Sequence, residues 1–424
     1  MSPSTSGARR GEPPSRHFVL FSVGHGLSSI GSWAQKTGIG WLTWELTHSV
    51  AWVGTIAMAD LVAALWVAPL AGAVTDRNNP YRLFCLTQAL TLLLALLLCV
   101  ATAAGTVTIH GLLLFAVVES TLQGFNQPVR MLLTGSLAPR ERLSQAIAAN
   151  SIAFAVARSL GPASAGVIMY FGSVALVFAL NAVSFLAILS IVFYLRHWLD
   201  HPPLTRGAAL ASDIAEGFRY VARTPEIASV IFLALAFALL ARPFSELFPA
   251  FAGEVFGGGP EVLSLLMTTQ GLGALFGAVW MLRQRDSRRL ARNIRSTGLA
   301  LSVALMVFSS SGVLAVALPA IFMVGLFHII GNIAMQSLCQ LQSVSALRGR
   351  VVALYGLIFR TGPAIGAFCI AQAERWFALG ALVGGCAAIY AIVLIVTPAT
   401  RRAGVPSAAS QEEFGIPVSP RQRS

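Results

Sequence analysis

The strongest constraint on this chain is the recurrence of apolar runs of about twenty residues along almost its whole length. A run of that length crosses the roughly 30 Å hydrocarbon core of a bilayer as an α-helix. Backbone N–H and C=O groups find no water there, so such runs pair internally as helices rather than as open strands. Only 11% of the residues are charged, against roughly 25% in a soluble domain. The sequence therefore predicts an all-α integral membrane protein.

The runs predict twelve transmembrane helices in two pseudo-symmetric bundles of six. The first six lie at 18–46, 50–74, 82–104, 109–136, 144–170 and 174–198, and the second six at 226–252, 259–283, 295–311, 313–342, 350–374 and 377–398. The predicted domains are a cytoplasmic tail at 1–17, an N-terminal bundle at 18–198, a cytoplasmic linker at 199–225, a C-terminal bundle at 226–398 and a second tail at 399–424. Within the linker, 212–223 is expected to form a short amphipathic helix on the membrane surface.

Arginines predict the orientation of these helices. They concentrate in every second connection, starting with the N-terminal tail, whereas the intervening connections hold Arg375 alone. A cytoplasmic excess of Lys and Arg orients membrane helices, so we expect a multi-pass protein of the bacterial inner membrane with both termini in the cytoplasm. The net charge of +12 is accounted for by these loops, and no nucleic-acid partner is expected.

Motifs for metals, cofactors and enzymatic chemistry are not found in the sequence. The five cysteines lie in or beside apolar runs without a CxxC, and no HExxH or paired histidine spacing occurs, so neither disulfides nor a metal site is expected. An ATP-driven pump would need GxxxxGK[ST], whereas the one lysine, Lys36, follows Gln35. No nucleophile–base pair suggests an enzyme. We expect no cofactor.

The two halves repeat a short motif. Arg158-Ser-Leu-Gly161-Pro162 in the fifth predicted helix has a counterpart in Arg360-Thr-Gly-Pro in the eleventh. Repeats in the same orientation, joined by a cytoplasmic linker, are typical of transporters in which two bundles rock around a central site.

Two stretches resemble the major facilitator superfamily. Gly72-Ala-Val-Thr-Asp76-Arg77, followed by Arg82, is similar to its loop signature, and the segment from Asn126-Gln-Pro-Val-Arg130 to Gly161-Pro162 resembles its branch of enterobactin exporters and drug–proton antiporters. The resemblance runs from about Phe18 to Pro398 and implies alternating access between two bundles. It departs from the pattern at Asn78-Asn79-Pro80-Tyr81, where the superfamily has more glycine and basic residues, and at Lys36 and Asp60, where apolar or small residues are usual.

Ionisable residues fall into one layer of the predicted bundle. Lys36 and Asp60 each lie ten residues from the outer ends of neighbouring helices, about 15 Å deep at 1.5 Å per residue, and Glu119 and Arg242 come out at the same depth. Charges at this depth cost about 2.5–3.5 kcal/mol and need a partner or a wet cavity. We predict a Lys36–Asp60 ion pair and a midplane cavity. Four further candidates lie nearer the cytoplasm: Arg158, Gln270, His328 and Arg360.

The layer admits a functional and a structural interpretation. In the first, Glu119 and Asp60 carry protons, because a nearby cation favours the ionised carboxylate and desolvation favours the neutral one. In the second, the charges are static clamps between helices. Arg242 and Glu246 are spaced i, i+4 and would then satisfy each other on one helix face. Arg158 and Arg360 would serve the freed carbonyls near the Gly-Pro pairs.

Two smaller sets complete the candidates. A cytoplasmic gate is predicted in which Arg130 reaches the carboxylate of Asp76, with topology anchoring as the alternative; its residues are Gly72, Asp76, Arg77, Arg82 and Arg130. Trp33 and Phe125 are the aromatic side chains predicted to contact a substrate.

The leading functional hypothesis is proton-coupled export of an amphipathic small molecule, such as a drug, siderophore or metabolite, by a monomer in the lipid bilayer. An importer or ion-related permease of the same fold is an alternative. A transporter-like membrane receptor or assembly protein is another, which the unusual loop at 78–81 leaves open.

Overall fold

The computed structural model describes residues 15–137, 143–199, 218–281, 287–344 and 347–397. The described residues form helices and short connections, and no β-strand occurs among them. The predicted all-α class is thereby confirmed. Residues 1–14 of the predicted N-terminal tail, the whole predicted C-terminal tail and residues 212–217 of the predicted surface helix lie outside the described residues.

Twelve long helices follow one another in the described part of the chain. They are α1 (Ser15–Thr47), α2 (Val50–Arg77), α3 (Pro80–Ala103), α4 (Ile109–Leu137), α5 (Leu143–Phe171), α6 (Val174–Tyr194), α7 (Pro225–Val255, interrupted), α8 (Pro260–Met281), α9 (Ser287–Ser310), α10 (Leu314–Gln342), α11 (Arg348–Ala373) and α12 (Leu379–Val396). A short helix, Arg196–Leu199, follows α6, and residues 218–223 are helical before α7.

Eight of the described helices contain a stretch long and apolar enough to cross a membrane: α2, α3, α6, α7, α8, α10, α11 and α12. α1 and α4 are absent from that set, and both carry polar side chains within the helix, among them Gln35 and Lys36 on α1 and Glu119 on α4.

The unusual loop before α3 has a local explanation. Asn79 caps the helix, its side-chain oxygen accepting from the backbone N–H of Tyr81 at 3.0 Å and of Arg82 at 3.3 Å. Pro80 occupies the first helical position, where its missing N–H is not needed. The Asn-Pro pair is therefore a helix start.

Two predicted helices differ from the helices of the structure. α9 begins at Ser287 rather than at 295, because the basic segment before the apolar run continues the same helix. α7 is not the single helix predicted at 226–252: after Pro225–Ala236 it passes through a π-helical turn, Phe237–Ala241, and a 3-10 turn, Pro243–Ser245. A second π-helical turn, Phe251–Val255, ends it. Pro243 and Pro249 lack the N–H that a regular helix requires.

The pattern of helix–helix contacts in the first six helices is repeated in the second six. In the first half α2 packs on α4, and α3 packs on α4 and α6; in the second half α8 packs on α10, and α9 packs on α10 and α12. α1 packs on α5, and the irregular part of α7 packs on α11. The same pairings in both halves are those of two related six-helix bundles.

The two halves meet where α5 packs on α8 and where α2 packs on α11. Because α5 corresponds to α11 and α2 corresponds to α8, the two contacts are related by the repeat. Small residues permit the approach. A Cβ on Gly166 would lie 1.9 Å from the Cβ of Ser264, and one on Gly54 would lie 2.5 Å from the Cβ of Ala371. Ser264 Oγ donates to the carbonyl of Pro162 at 2.8 Å.

Further contacts between the halves lie at the end of the bundle that carries the α1–α2 connection. A Cβ on Gly253 would lie 1.8 Å from Trp44 Nε1, and one on Gly40 would lie 2.9 Å from Pro249. These contacts of α1 with α7 close that end of the space between the halves.

Candidate functional site

A cavity of about 590 Å³ lies between the two halves. Ligand pockets typically measure about 300–1,000 Å³, so it can hold a drug-sized molecule. α1, α2, α4, α7 and α11 contribute most of the wall. The ionisable side chains that line it are His25, Lys36, Asp60, Glu119, Arg130, Arg158, Arg242, Glu246 and Arg360.

Lys36 lies between two carboxylates from different halves. Its Nζ is 3.4 Å from Glu246 Oε2 on α7 and 4.0 Å from Asp60 Oδ2 on α2. The side chains of Lys36 and Asp60 are 48% and 50% exposed, and that of Glu246 is 24% exposed. These exposed fractions face the cavity, because all three residues line it. The ion pairs are therefore accessible to a solute or to water.

Glu119 is held by a chain of amides. Asn181 Nδ2 donates to Gln35 Oε1 at 2.9 Å, and Gln35 Nε2 donates to Glu119 Oε1 at 2.8 Å. Gln35 and Asn181 are both 0% exposed. One oxygen of Glu119 is fixed by this chain, while the residue itself lines the cavity.

Asp60 is positioned through its backbone. Ser120, the neighbour of Glu119 on α4, donates its hydroxyl to the carbonyl oxygen of Asp60 at 2.6 Å. This bond couples the position of the Asp60 carboxylate on α2 to that of Glu119 on α4.

Arg242 sits at the break in α7, after the first π-helical turn. One guanidinium nitrogen donates to the carbonyl oxygen of Phe359, and the guanidinium carbon lies 3.9 Å from the centre of the Phe359 ring. The carboxylate within 4.0 Å of Lys36 on this segment is Glu246, so Glu246 is not reserved for Arg242, although the two still interact electrostatically.

Arg158 and Arg360 both reach the cavity. The guanidinium carbon of Arg158 lies 5.7 Å from the centre of the Trp33 ring, and Lys36 Nζ lies 6.0 Å from the same ring on its own helix. Trp33 is thus part of the wall and is flanked by two cations, while its contact with a substrate stays a prediction.

The predicted gate is described only in part. Arg130 lines the cavity, and its Nη1 lies 2.8 Å from His25 Nε2. The side chain of Asp76 and the surroundings of Gly72 are not described, so their relation to Arg130 stays a prediction. Arg77 and Arg82 are exposed.

Three predicted site residues do not line the cavity. Gln270 is buried where α8 meets α10, with its carbonyl against Gly325. His328 is buried with its ring 5.1 Å from that of Phe237 and 6.2 Å from that of Phe359. Phe125 is half-buried and points elsewhere. A count of residues along a helix carries no information on which face of the helix each residue occupies.

Sequence reasoning missed four polar participants. Glu246 was considered only as a possible partner of Arg242, His25 was not predicted to line the cavity, and the Gln35–Asn181 pair was not recognised. A polar residue in each of two apolar helices was the available signal for that pair. No group of three or more His, Cys, Asp or Glu is placed to hold a metal ion among the residues the structure describes.

The fold and its charged central cavity define a membrane transporter of the major facilitator type. The sequence profile of one family, described as transmembrane secretion effector, matches residues 15–417. The chain belongs to this family of the major facilitator superfamily, as the sequence resemblance predicted.

Comparisons with individual proteins agree with this assignment. The chain is similar to the staphyloferrin A transporter of Staphylococcus aureus (strain NCTC 8325 / PS 47), with 23% identity over 269 residues, which is 62% of this chain and 64% of the relative. The match thus spans less than two-thirds of either protein. A crystal structure of a bacterial homologue of the iron transporter ferroportin has the same fold, with a TM-score of 0.69 and 14% identity over 92% of this chain and 100% of the other. A D-xylose–proton symporter aligns with a TM-score of 0.65 and 12% identity over 90% and 99% of the two chains.

Proposed function

We propose that this protein is a secondary active transporter that exports an amphipathic small molecule from the bacterial cytoplasm in exchange for protons. The observation that carries the proposal is Lys36, which is shared between Asp60 on its own half and Glu246 on the other at 4.0 and 3.4 Å. A cation between two carboxylates has two arrangements, and a bistable element of this kind is what alternating access requires.

The proposed cycle uses these ion pairs as the link between the halves. Protonation of Glu246 removes the attraction that holds Lys36 toward α7 and leaves Asp60 as its carboxylate partner. Separation of the halves at this point lets them rock about the α5–α8 and α2–α11 contacts. Deprotonation on the other side restores the pair.

Glu119 is proposed as the second proton carrier. It faces the cavity and is oriented by Gln35. Ser120 ties its helix to Asp60, so a change of charge at one carboxylate acts on the position of the other. A carboxylate that is buried but open to the cavity can bind a proton from either side in turn.

The direction of transport rests on the family and the topology. The family is described as a secretion effector, and the arginine distribution favours cytoplasmic termini. The staphyloferrin A transporter, a relative by sequence, supports a small-molecule substrate.

The test is a solute screen in proteoliposomes with an imposed pH gradient. Wild-type vesicles are compared with vesicles that hold Glu119→Gln, which keeps the size and the hydrogen-bonding shape of the side chain. A compound that moves against its gradient in the wild type but not in the variant supports the proposal. Gradient-driven movement of the same compound at an equal rate in both would remove Glu119 from the mechanism.

One observation favours a second candidate, import together with protons. Five cationic side chains, Lys36, Arg130, Arg158, Arg242 and Arg360, face three carboxylates among the described side chains of the cavity. If the solute is an anion, protonation of Glu119 removes a negative charge that repels it, so the solute and the proton bind and travel together. Flux in everted vesicles separates the candidates, because export appears there as uptake driven by an acidic interior.

A further inference from the structure

Two arginines occupy similar positions, one residue apart in register, in the two halves of the cavity. Arg158 lies three residues before Gly161-Pro162 in α5, and Arg360 lies two residues before Gly362-Pro363 in α11. α5 and α11 correspond under the six-helix repeat, and both arginines line the same cavity. One cation is thus presented from each side of the space between the halves.

Neither arginine is neutralised by a close carboxylate. Both ion pairs within 4.0 Å among the described residues are formed by Lys36. Arg158 contacts the face of Trp33 and lies in the electrostatic range of Glu246, which is already paired. Arg360 is exposed and forms neither an ion pair nor a hydrogen bond within the described part of the chain. Charged residues at membrane depth are costly, and uncompensated ones mark substrate pathways.

The charge balance of the whole cavity points the same way. Its described side chains include five Lys and Arg residues and three Asp and Glu residues. Because Asp60 and Glu246 are paired with Lys36, the excess positive charge lies on the four arginines of the wall, which include Arg158 and Arg360. An anion entering the cavity gains Coulomb energy in a region where water screens charges less than in bulk solvent.

The surroundings of the two arginines are aromatic. Trp33 lies beneath Arg158, and Phe359 precedes Arg360 in the sequence and lines the cavity with it. Guanidinium groups recognise carboxylates through two parallel hydrogen bonds, and a flat apolar body fits against aromatic rings. The wall of one cavity offers both kinds of contact.

We propose that the transported molecule is an organic anion, whose acid group is held between Arg158 and Arg360 and whose apolar body packs against Trp33 and Phe359. The proposal rests on the proposed transport function and specifies its substrate class. An anion held by one arginine from each half draws the halves together and so favours closure around the solute. This role replaces the structural one that the Gly-Pro motif suggested.

The test uses three probes with the same ring: 2-naphthoate, 2-naphthalenemethanol and 2-naphthylmethylammonium. Each is titrated calorimetrically into the full-length protein in lipid nanodiscs, with empty nanodiscs subtracted. We expect 2-naphthoate to bind at least about tenfold more tightly than the alcohol, and the ammonium to bind most weakly, since about 1.4 kcal/mol corresponds to tenfold. Equal binding of the anion and the alcohol, including no binding of either, or preference for the ammonium, would overturn the proposal.

Variants locate the site. Arg158→Gln and Arg360→Gln are each expected to weaken 2-naphthoate binding about tenfold, while Arg158→Lys and Arg360→Lys retain part of it. The matched control is Arg375→Gln, whose side chain stacks on Trp376 outside the cavity. Thermal unfolding of each variant shows that the fold is intact. Unchanged affinity in both glutamine variants would place the anion elsewhere and overturn the proposal.

The binding experiment involves no pH gradient and no flux. One outcome is that 2-naphthoate binds selectively through the arginines while solute transport does not depend on the proton gradient. That outcome would refute the proton-coupled function and would support the anion site. The reverse pattern, with proton-driven transport of a neutral or cationic solute, would refute the anion site alone.

Discussion

The ammonium of Lys36 and the carboxylate of Glu246 lie 3.4 Å apart and belong to different halves of the transporter. The second partner of Lys36, Asp60, belongs to its own half and lies 4.0 Å away. The Lys36–Asp60 pair lies within one half and can persist through a rocking motion. The Lys36–Glu246 pair joins the two halves and must change when they rotate. Lys36 therefore connects the protonation of carboxylates to the relative position of the two bundles.

Lys36→Met is expected to abolish transport driven by a pH gradient, because Asp60 and Glu246 are then left without their shared cation. Lys36→Arg keeps the charge and should retain part of the activity. A double-mutant cycle with Glu246→Gln, measured by unfolding in detergent, should give a coupling of about 0.2–1 kcal/mol, since the lysine is half-exposed to the cavity. Full gradient-driven transport by Lys36→Met would contradict the role assigned to this pair.

Glu119→Gln is expected to eliminate proton-driven accumulation but to preserve exchange of solute down its own gradient. The amide still accepts from Gln35 and fills the same space, so folding should be unaffected. Counterflow of a labelled solute measures the exchange. Glu254→Gln is the matched control, because Glu254 is exposed and does not line the cavity. Loss of counterflow in Glu119→Gln would indicate a binding or structural role rather than proton coupling.

Gln35→Leu is expected to lower the free energy of unfolding by about 1–3 kcal/mol, because it leaves the buried amide of Asn181 without its acceptor. The same substitution at Gln88 is the control. Gln88 is also buried, but its side-chain oxygen has no partner among the described residues, so Gln88→Leu should cost less. Thermal unfolding in one detergent compares the two. Equal losses of stability would show that the amide chain contributes nothing specific.

Gly166→Ala is expected to weaken the closed end of the cavity, because its Cβ would overlap Ser264 on α8. Overpacking of this kind typically costs about 1–3 kcal/mol, and separation of α5 from α8 relieves it. Gly385→Ala on α12 is the control, since a Cβ there meets nothing within 4 Å. A thiol at Thr43, introduced after the native cysteines are replaced, should react faster with a membrane-impermeant maleimide only in Gly166→Ala. Equal rates in both variants would show that this contact does not close the cavity.

Sequence predicted the features that depend on composition and spacing along single helices. The class, the two-bundle architecture and the boundaries of α2 to α6 follow from apolar run lengths, because hydrocarbon allows few alternatives. The shared depth of Lys36, Asp60 and Glu119 followed from a count of 1.5 Å per residue, because α1, α2 and α4 are regular helices.

Counting residues along a helix did not identify the partners of a residue where the helix is irregular, or where the face that a side chain occupies decides its contacts. Glu246 lies beyond the π-helical and 3-10 turns of α7, so spacing could not assign its partner. Gln270 and Phe125 were predicted to reach the cavity, but the face that each presents depends on packing against neighbouring helices. Gln35 and Asn181 are separated by 146 positions in the sequence, and a contact of that kind has no local signature.

The most direct measurement of the central claim records solute and proton movement together in proteoliposomes that contain a pH-sensitive dye, using the first solute found in the screen. If the transporter exchanges its solute for protons through the charged cavity, solute efflux will be accompanied by acidification of the interior in the wild type and in Glu254→Gln. Glu119→Gln and Lys36→Met will show neither gradient-driven efflux nor the coupled acidification. Solute efflux without any proton movement in the wild type would contradict the account.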